Sequence, residues 1–125
     1  MDNDHSPIVI IESPLKGDVV RNVLYADCLM FDSLMRGEAP FLGHLLYTRV
    51  FNDADPHQRR LGIRAHLAVL KRAHYMVVGR DLGRPTDGML EAISVAEEFH
   101  IRIEHRMLGE GWETRYPLTP TAGVR

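Results

Sequence analysis

Two short runs of apolar residues, Ile8 to Ile11 and Tyr75 to Val78, contain no polar residue at alternate positions. A strand with one face in water alternates apolar and polar residues, whereas a strand covered on both faces is apolar throughout. Residues that favour turns bound the runs, with Pro7 before the first and Gly79 after the second. The two runs therefore predict buried strands of a parallel sheet that is covered by helices on both faces.

Helical patterns separate the predicted strands. Gly17 and Asp18 open a segment with apolar residues at helical spacing that ends at Gly37, and Asp55 and Pro56 open a second helix. The full prediction is a strand at 8–11, a helix at 18–36, a strand at 40–42, an irregular or partly helical stretch at 45–52, a helix at 56–72, a strand at 75–78, a loop at 79–87, a helix at 88–99 and a strand at 101–103. This order predicts one α/β domain over residues 1–108. Residues 109–125 show no periodicity and predict a C-terminal arm outside the core.

Length and composition limit the classes of protein. The 125 residues suffice for one domain, and a hydrophobic content of 45% suffices for one buried core. Fifteen basic and 17 acidic side chains leave a net charge of -2, which predicts neither nucleic-acid nor membrane partners. No apolar run reaches the roughly 18 residues of a membrane span, and the acidic amino terminus does not resemble a signal peptide. Because Cys28 is the only cysteine, we expect a cytoplasmic protein.

Candidate ligand-binding residues lie in three predicted turns, at 12–18, 44–60 and 79–88. In a parallel sheet the chain leaves each strand at the carboxyl edge and enters the next helix at its amino end, where backbone N–H groups and the helix dipole favour anions. The candidates are Ser13, Lys16, Gly17, Asp18, His44, Arg59, Arg60, Gly83, Thr86, Asp87, Gly88 and Met89. We expect a phosphate or a ribose there. Alternatively, the glycines serve only backbone geometry and the two arginines are a solvated helix start.

Several motifs are absent from the sequence. No Gly-x-Gly-x-x-Gly pattern follows the first strand and no Walker sequence occurs, so the chain lacks the dinucleotide and nucleoside-triphosphate fingerprints. The seven histidines form no His-Glu-x-x-His pattern and no cluster with cysteine, so we expect no metal and no cofactor. Ser13 lacks the elbow sequence of a hydrolase, and Cys28 falls within a predicted helix, where a core role is expected.

The order and spacing of several short motifs resemble a known superfamily. The motifs are residues 13–18 (Ser-Pro-Leu-Lys-Gly-Asp), 44–46 (His-Leu-Leu), 81–83 (Asp-Leu-Gly) and 87–89 (Asp-Gly-Met), with Asn22, Ala26, Leu34, Gly37, Pro40, Ala92 and Ala96. Over about residues 7–108 the chain resembles the nucleoside 2-deoxyribosyltransferase-like superfamily, in particular its small, functionally unassigned bacterial and phage members. The resemblance implies a three-layer, flavodoxin-like or Rossmann-like parallel sheet of four to five strands. It also implies cleavage or exchange of the N-glycosidic bond of deoxynucleosides or their monophosphates, in a homo-oligomer whose neighbouring subunit often completes the pocket.

The resemblance further implies a glutamate nucleophile assisted by an aspartate, because the transition state at the sugar is oxocarbenium-like. The matching position, four residues before Ala96, is Ala92 in this chain. Glu91 is adjacent, but one residue turns a helix by about 100°, which places Glu91 away from the predicted buried face. Glu12 and Asp81, which end predicted strands, are the other candidate catalytic residues. Alternatively, Glu12 caps local amides and Asp81 braces its own loop.

Three functions remain open on these residues. The first is an N-glycosidase or deoxyribosyltransferase that acts on a nucleoside or nucleotide. The second is a non-catalytic protein that senses or sequesters a nucleotide-derived metabolite, which the alanine at position 92 favours. The third is an assembly protein in which Trp112 and Tyr116 of the C-terminal arm pack on another protomer.

Overall fold

The computed structural model describes residues 5–120. Its elements are β1 (Ile8–Glu12), α1 (Val19–Met35), β2 (Ala39–Phe41), α2 (Gly43–Tyr47), α3 (Pro56–Leu70), β3 (Tyr75–Gly79), α4 (Asp87–Glu98), β4 (Arg102–Arg106) and α5 (Trp112–Arg115). Within residues 5–120, no helix is both long and apolar enough to cross a membrane.

The strands form one parallel sheet in the order β2-β1-β3-β4. From β1 the chain passes through α1 to β2 at one edge, then returns through α3 to β3 on the other side of β1. The order therefore reverses beside β1, which makes the carboxyl ends of β1 and β3 a topological switch point. The prediction of a three-layer, flavodoxin-like or Rossmann-like α/β fold is confirmed, with four strands in the described range.

Buried residues lie on both faces of the sheet, which explains the unalternating strands. Val9 and Ile11 pack with α1 and α5 on one face, and Ile10 packs with α3 and α4 on the other. Successive strand residues point to opposite faces, so both faces of β1 must be apolar. The layers are α1 and α5, the sheet, and α3 and α4.

The aspartates at the two predicted helix starts, Asp18 and Asp55, cap α1 and α3. Asp18 accepts a hydrogen bond from the Arg21 amide at 3.2 Å, and Asp55 accepts one from the His57 amide at 2.9 Å. Each satisfies an amide that the first turn of a helix leaves without an intrahelical acceptor. Thr86 caps α4, which therefore begins one residue before the predicted start.

The C-terminal segment differs from the predicted arm. Trp112 is only 5% exposed and its ring packs edge-on against Tyr25 of α1, with ring centroids 4.9 Å apart. Leu108 is buried in the same cluster. The expectation that residues 109–125 lie outside the core does not hold for Trp112, which packs on its own chain, whereas residues 113–115 are exposed. Residues 121–125 of the predicted arm lie outside the described residues.

A charged network is buried on the α1 side of the sheet. Both Arg106 guanidinium Nη atoms donate to the Glu38 carboxylate, at 2.9 and 3.0 Å. The Ser33 hydroxyl donates to Glu38 at 2.7 Å, and the Tyr75 hydroxyl donates to it as well. Burial acts to raise the pKa of Glu38, but these bonds and the Arg106 charge outweigh it and lower the pKa to about 2.

Candidate functional site

A cleft of about 560 Å³ opens at the carboxyl edge of the sheet, beside the switch point. It is lined by the end of β1, by α2, by residues 58–67 of α3 and by the first turns of α4. Clefts of this volume hold small organic ligands, and in open α/β sheets they form where the strand order reverses. The fold therefore brings parts of all three predicted turns to one site.

Glu12 lies on the floor of the cleft and is only 6% exposed. Because Ile10 points toward α3 and α4, the residue two positions later points to the same face. There the Glu12 carboxylate meets His66 of α3, whose Nε2 lies 2.5 Å from Oε2. An ionised carboxylate only accepts hydrogen bonds, so His66 is the donor of this pair.

Gly43 makes room for His66. A Cβ atom at Gly43 would collide with Nδ1 of the His66 ring. The first residue of α2 therefore has to be glycine for the imidazole to reach Glu12 from α3. Three distant segments of the chain determine the position of one carboxylate.

Ser13 and His44 form a second hydrogen-bonded pair in the cleft, with Oγ and Nε2 at 2.8 Å. Burial lowers the pKa of His44; the Glu12 charge acts against this change and the neighbouring His66 adds to it. His44 is therefore neutral at pH 7. Its Nδ1 is buried without a hydrogen-bond partner among residues 5–120, so Nε2 alone orients the ring. A neutral imidazole bonded to a hydroxyl can act as a general base.

The rim of the cleft carries groups that can meet a polar ligand. Thr86 caps α4 by accepting a hydrogen bond from the Met89 amide at 3.3 Å, and the cleft is lined by Asp87 and Gly88 in the first turn. The first amides of a helix have no intrahelical acceptor and are available to a ligand oxygen. Lys16 lines the same cleft from the β1 side and is exposed.

Arg59 also lines the cleft, but an ion pair with Asp53 at 3.1 Å holds its guanidinium. The walls are mainly apolar and include two aromatic side chains, Tyr47 and Phe51. The other apolar lining residues are Leu15, Ile63, Leu67, Met89 and Ala92. Such walls suit the flat face of a nucleobase.

The structure brings together ten of the residues predicted from sequence. The cleft contains Glu12, Ser13, Lys16, His44, Arg59, Thr86, Asp87, Gly88, Met89 and Glu91. Glu91 is exposed, as its position on the helix predicts, and still reaches the cleft mouth. Ala92, the position matched by resemblance to a nucleophile, lies beside it and is buried.

Four predicted ligand-binding residues lie outside the cleft lining. Gly17 and Gly83 adopt φ angles of 98° and 105°, so each serves a turn that a residue with a Cβ atom rarely forms. Asp18 is occupied in capping α1, and Arg60 is exposed on α3. For the two glycines and Asp18, the alternative local role agrees with the geometry.

Asp81, a predicted catalytic residue, also lies outside the cleft lining. Its carboxylate accepts hydrogen bonds from the amides of Leu108 at 2.9 Å and Gly109 at 2.8 Å. The Tyr25 hydroxyl donates to the same carboxylate, and burial together with this bond raises the pKa of Tyr25 above its usual range. Asp81 therefore ties the end of β3 to the C-terminal segment.

Sequence reasoning missed His66 and Gly43. His66 falls on the apolar side of α3 beside Ile63 and Leu67, and a histidine on that face was the available signal. No group of three or more His, Cys, Asp or Glu side chains that could hold a metal occurs among residues 5–120.

The model of a family described as "Domain of unknown function (DUF7768)" matches residues 7–106. No curated protein matches the chain. The matched region contains every element that lines the cleft.

Proposed function

The chain belongs to the DUF7768 family, a domain of unknown function, so we propose its activity from the chemistry of the cleft. The protein binds a nucleoside or nucleoside monophosphate and breaks its N-glycosidic bond, and the base is either released or exchanged. This proposal agrees with the resemblance to the nucleoside 2-deoxyribosyltransferase-like superfamily and rests on the residues of this chain.

The shape of the cleft supports a nucleoside-sized ligand. Its volume of about 560 Å³ falls within the range of small-molecule sites. Tyr47 and Phe51 offer aromatic faces to a base, whereas Lys16 and the first amides of α4 offer donors to sugar or phosphate oxygens. The cleft thus offers both aromatic faces for a base and hydrogen-bond donors for a sugar or phosphate.

The buried carboxylate of Glu12 is the observation that carries the proposal. The matched position on α4 is alanine, but Ala92 and Glu12 line the same cleft. A carboxylate on β1 is therefore available in the same cleft that a longer side chain at position 92 would enter. The hydrogen bond from His66 fixes the orientation of this carboxylate. A nucleophile needs a fixed orientation because it must attack one particular carbon atom.

The proposed reaction has two steps. A Glu12 oxygen forms a bond to C1′ of the sugar while the C1′–N bond breaks, and the base leaves with the electron pair and takes a proton from solvent. In hydrolysis, water attacks C1′, the C1′–O bond to Glu12 breaks, and the carboxylate recovers its electron pair. The Ser13–His44 pair accepts the proton of this water. In exchange, the nitrogen of a second base replaces the water.

Chromatographic detection of free base, after incubation with a panel of deoxynucleosides and their monophosphates, tests the proposal. Wild-type protein releases base from at least one compound, and Glu12→Gln lowers the rate by about 10³-fold or more. Glutamine keeps the size and a hydrogen-bonding oxygen but lacks the anionic nucleophile. Glu91→Gln is the matched control at the cleft mouth and keeps most of the activity.

Two outcomes count against this assignment. If Glu12→Gln retains the wild-type rate while Glu91→Gln loses it, the nucleophile is Glu91. If no compound in the panel releases base, the catalytic proposal is rejected.

A second candidate function is binding without catalysis, and Ala92 is the observation that favours it. The protein would then sense or sequester a nucleotide-derived metabolite in the same cleft. Calorimetry against nucleosides, nucleotides and ADP-ribose measures this directly. Heat of binding with no released base supports the second function, and the absence of any heat or thermal shift rejects it.

A further inference from the structure

Two helices on the same side of the sheet carry opposite charges. Residues 56–72, which comprise α3 and the two positions after it, contain five Arg or Lys residues and no Asp or Glu. Residues 87–98, which form α4, contain four Asp or Glu residues and no Arg or Lys. The outer layer of the domain is therefore divided into a basic strip and an acidic strip.

The charges on the two strips have the same spacing. Each strip has charged residues at i, i+4 and i+11, all exposed: Arg60, Arg64 and Lys71 on the basic strip, and Asp87, Glu91 and Glu98 on the acidic strip. At 100° per residue the three members of a strip fall within about 40° of one line along the helix. At a rise of 1.5 Å per residue, they lie about 6 Å and 16.5 Å from the first member.

The two strips also lie at the same height. The Lys71 ammonium lies 4.8 Å from the centroid of the Phe99 ring, so the C-terminal ends of α3 and α4 are level. Because the sequence offset between the strips is constant, each basic residue has an acidic counterpart at its own level. None of the six residues makes an ion pair with another residue of the described range 5–120.

We propose that the α3–α4 face binds a second copy of this chain. A two-fold axis parallel to the helices, lying between two facing layers, places α3 of each copy against α4 of the other and preserves height along the helices. The three basic residues of one copy then face the three acidic residues of the other, and the two-fold axis repeats this contact once. A two-fold axis perpendicular to the helices would instead oppose α3 to α3, which like charges disfavour.

Apolar contacts accompany the charges on this face. Leu61 of α3 and Leu90 of α4 are 37% and 50% exposed and lie beside the charged lines. In the dimer both become covered. The association also reaches the cleft, because Asp87 and Glu91 line its mouth and the facing α3 of the other copy supplies arginines there. The proposal does not depend on what the cleft binds.

Light scattering of the full chain tests the proposal. Wild-type protein has the mass of two chains at low salt, and the mass falls by half at about 1 M salt, where charges are screened beyond a few ångströms. Arg60→Glu with Arg64→Glu puts like charges opposite Asp87 and Glu91 of the other copy, so this variant is expected to be monomeric. Asp87→Lys with Glu91→Lys puts like charges opposite Arg60 and Arg64 of the other copy, so this variant is also expected to be monomeric. An equal mixture of these two variants recovers the mass of two chains.

A matched control has the same change in net charge at exposed arginines outside the face. Arg49→Glu with Arg84→Glu remains a dimer. Circular dichroism establishes that each variant is folded. The proposal is overturned if wild-type protein has the mass of one chain at low salt, or if the Arg60 and Arg64 variant remains dimeric.

Carbodiimide cross-linking of the wild-type protein provides a test without substitution. Lys16 and Lys71 are the only lysines in the sequence, so few lysine–carboxylate products are possible. With an equal mixture of nitrogen-15-labelled and unlabelled chains, mass spectrometry should detect Lys71 joined to Glu98 of a differently labelled chain. Products within one chain only contradict the dimer.

Discussion

The position of the Glu12 carboxylate depends on a residue that has no side chain. His66 reaches Glu12 only because Gly43 leaves space for the imidazole ring. A methyl group at that position would meet the ring itself and not the flexible end of a long side chain. The orientation of the carboxylate is therefore sensitive to one methyl group on α2.

Gly43→Ala is expected to displace the His66 ring, break its hydrogen bond to Glu12 and destabilise the protein by about 1–3 kcal/mol, the usual cost of overpacking. Denaturant unfolding measures the stability. Ligand binding or base release measures the effect on the cleft. Both the affinity and the rate are expected to fall.

Gly62→Ala in the same cleft is the matched control for this substitution. A Cβ at Gly62 meets only Phe51, at 4.0 Å, which is an ordinary contact. Alanine is also a better helix former, so this variant is expected to gain up to about 1 kcal/mol. Equal losses in both variants would show that Gly43 has no special relation to His66.

The sequence predicts Glu12, Ser13 and His44 at the site because each lies at or just after the end of a strand, and strand ends meet at one edge of the sheet. His66 could not be predicted in this way because it comes from the middle of a helix. Its partner Glu12 is 54 residues away in sequence. The angle at which α3 crosses the sheet decides this contact, and no local pattern encodes that angle.

The same distinction applies to whole elements. The starts of α1 and α3 are predictable because a capping aspartate bonds to amides two or three residues later. The C-terminal segment is not, because Trp112 packs on Tyr25 of a distant helix. Gly109 and Gly111 give this segment the local pattern of a loop, and tertiary packing overrides it.

Trp112→Ala is expected to destabilise the protein by about 3–5 kcal/mol, because it leaves a cavity against Tyr25. Glu113→Ala, one residue later on the half-exposed face of α5, is the control and changes stability by less than about 0.5 kcal/mol. Thermal or denaturant unfolding measures both variants. A small effect of Trp112→Ala would mean that the segment is not part of the core.

Across the molecule, apolar residues pack both faces of the sheet, and the α1 face adds a buried charged network. The α3–α4 side is packed by apolar residues. The α1 side includes the buried network of Glu38 and Arg106. A buried carboxylate that is bonded in this way links the stability of the fold to pH.

The pKa of Glu38 is lowered from 4.5 to about 2, so its contribution is fully present above about pH 4.5 and is lost as the pH falls toward 2. The difference corresponds to about 3 kcal/mol of unfolding free energy. Denaturant unfolding at several pH values, with Glu38→Gln as the comparison, measures it. The variant is expected to be less stable at pH 7 and to lose less stability between pH 4.5 and pH 2. If the free energy of unfolding changes with pH in the same way for the two proteins, this assignment is contradicted.

Both outer strands of the sheet are poor templates for a further strand. Pro40, at the middle of β2, has no N–H to donate, and β4 carries Arg102, Glu104 and Arg106. Proline and charge are the means by which natural sheets stop at their borders. Fibres that grow by strand addition are therefore not expected from the folded protein. Contacts between molecules are instead expected to involve the helical layers.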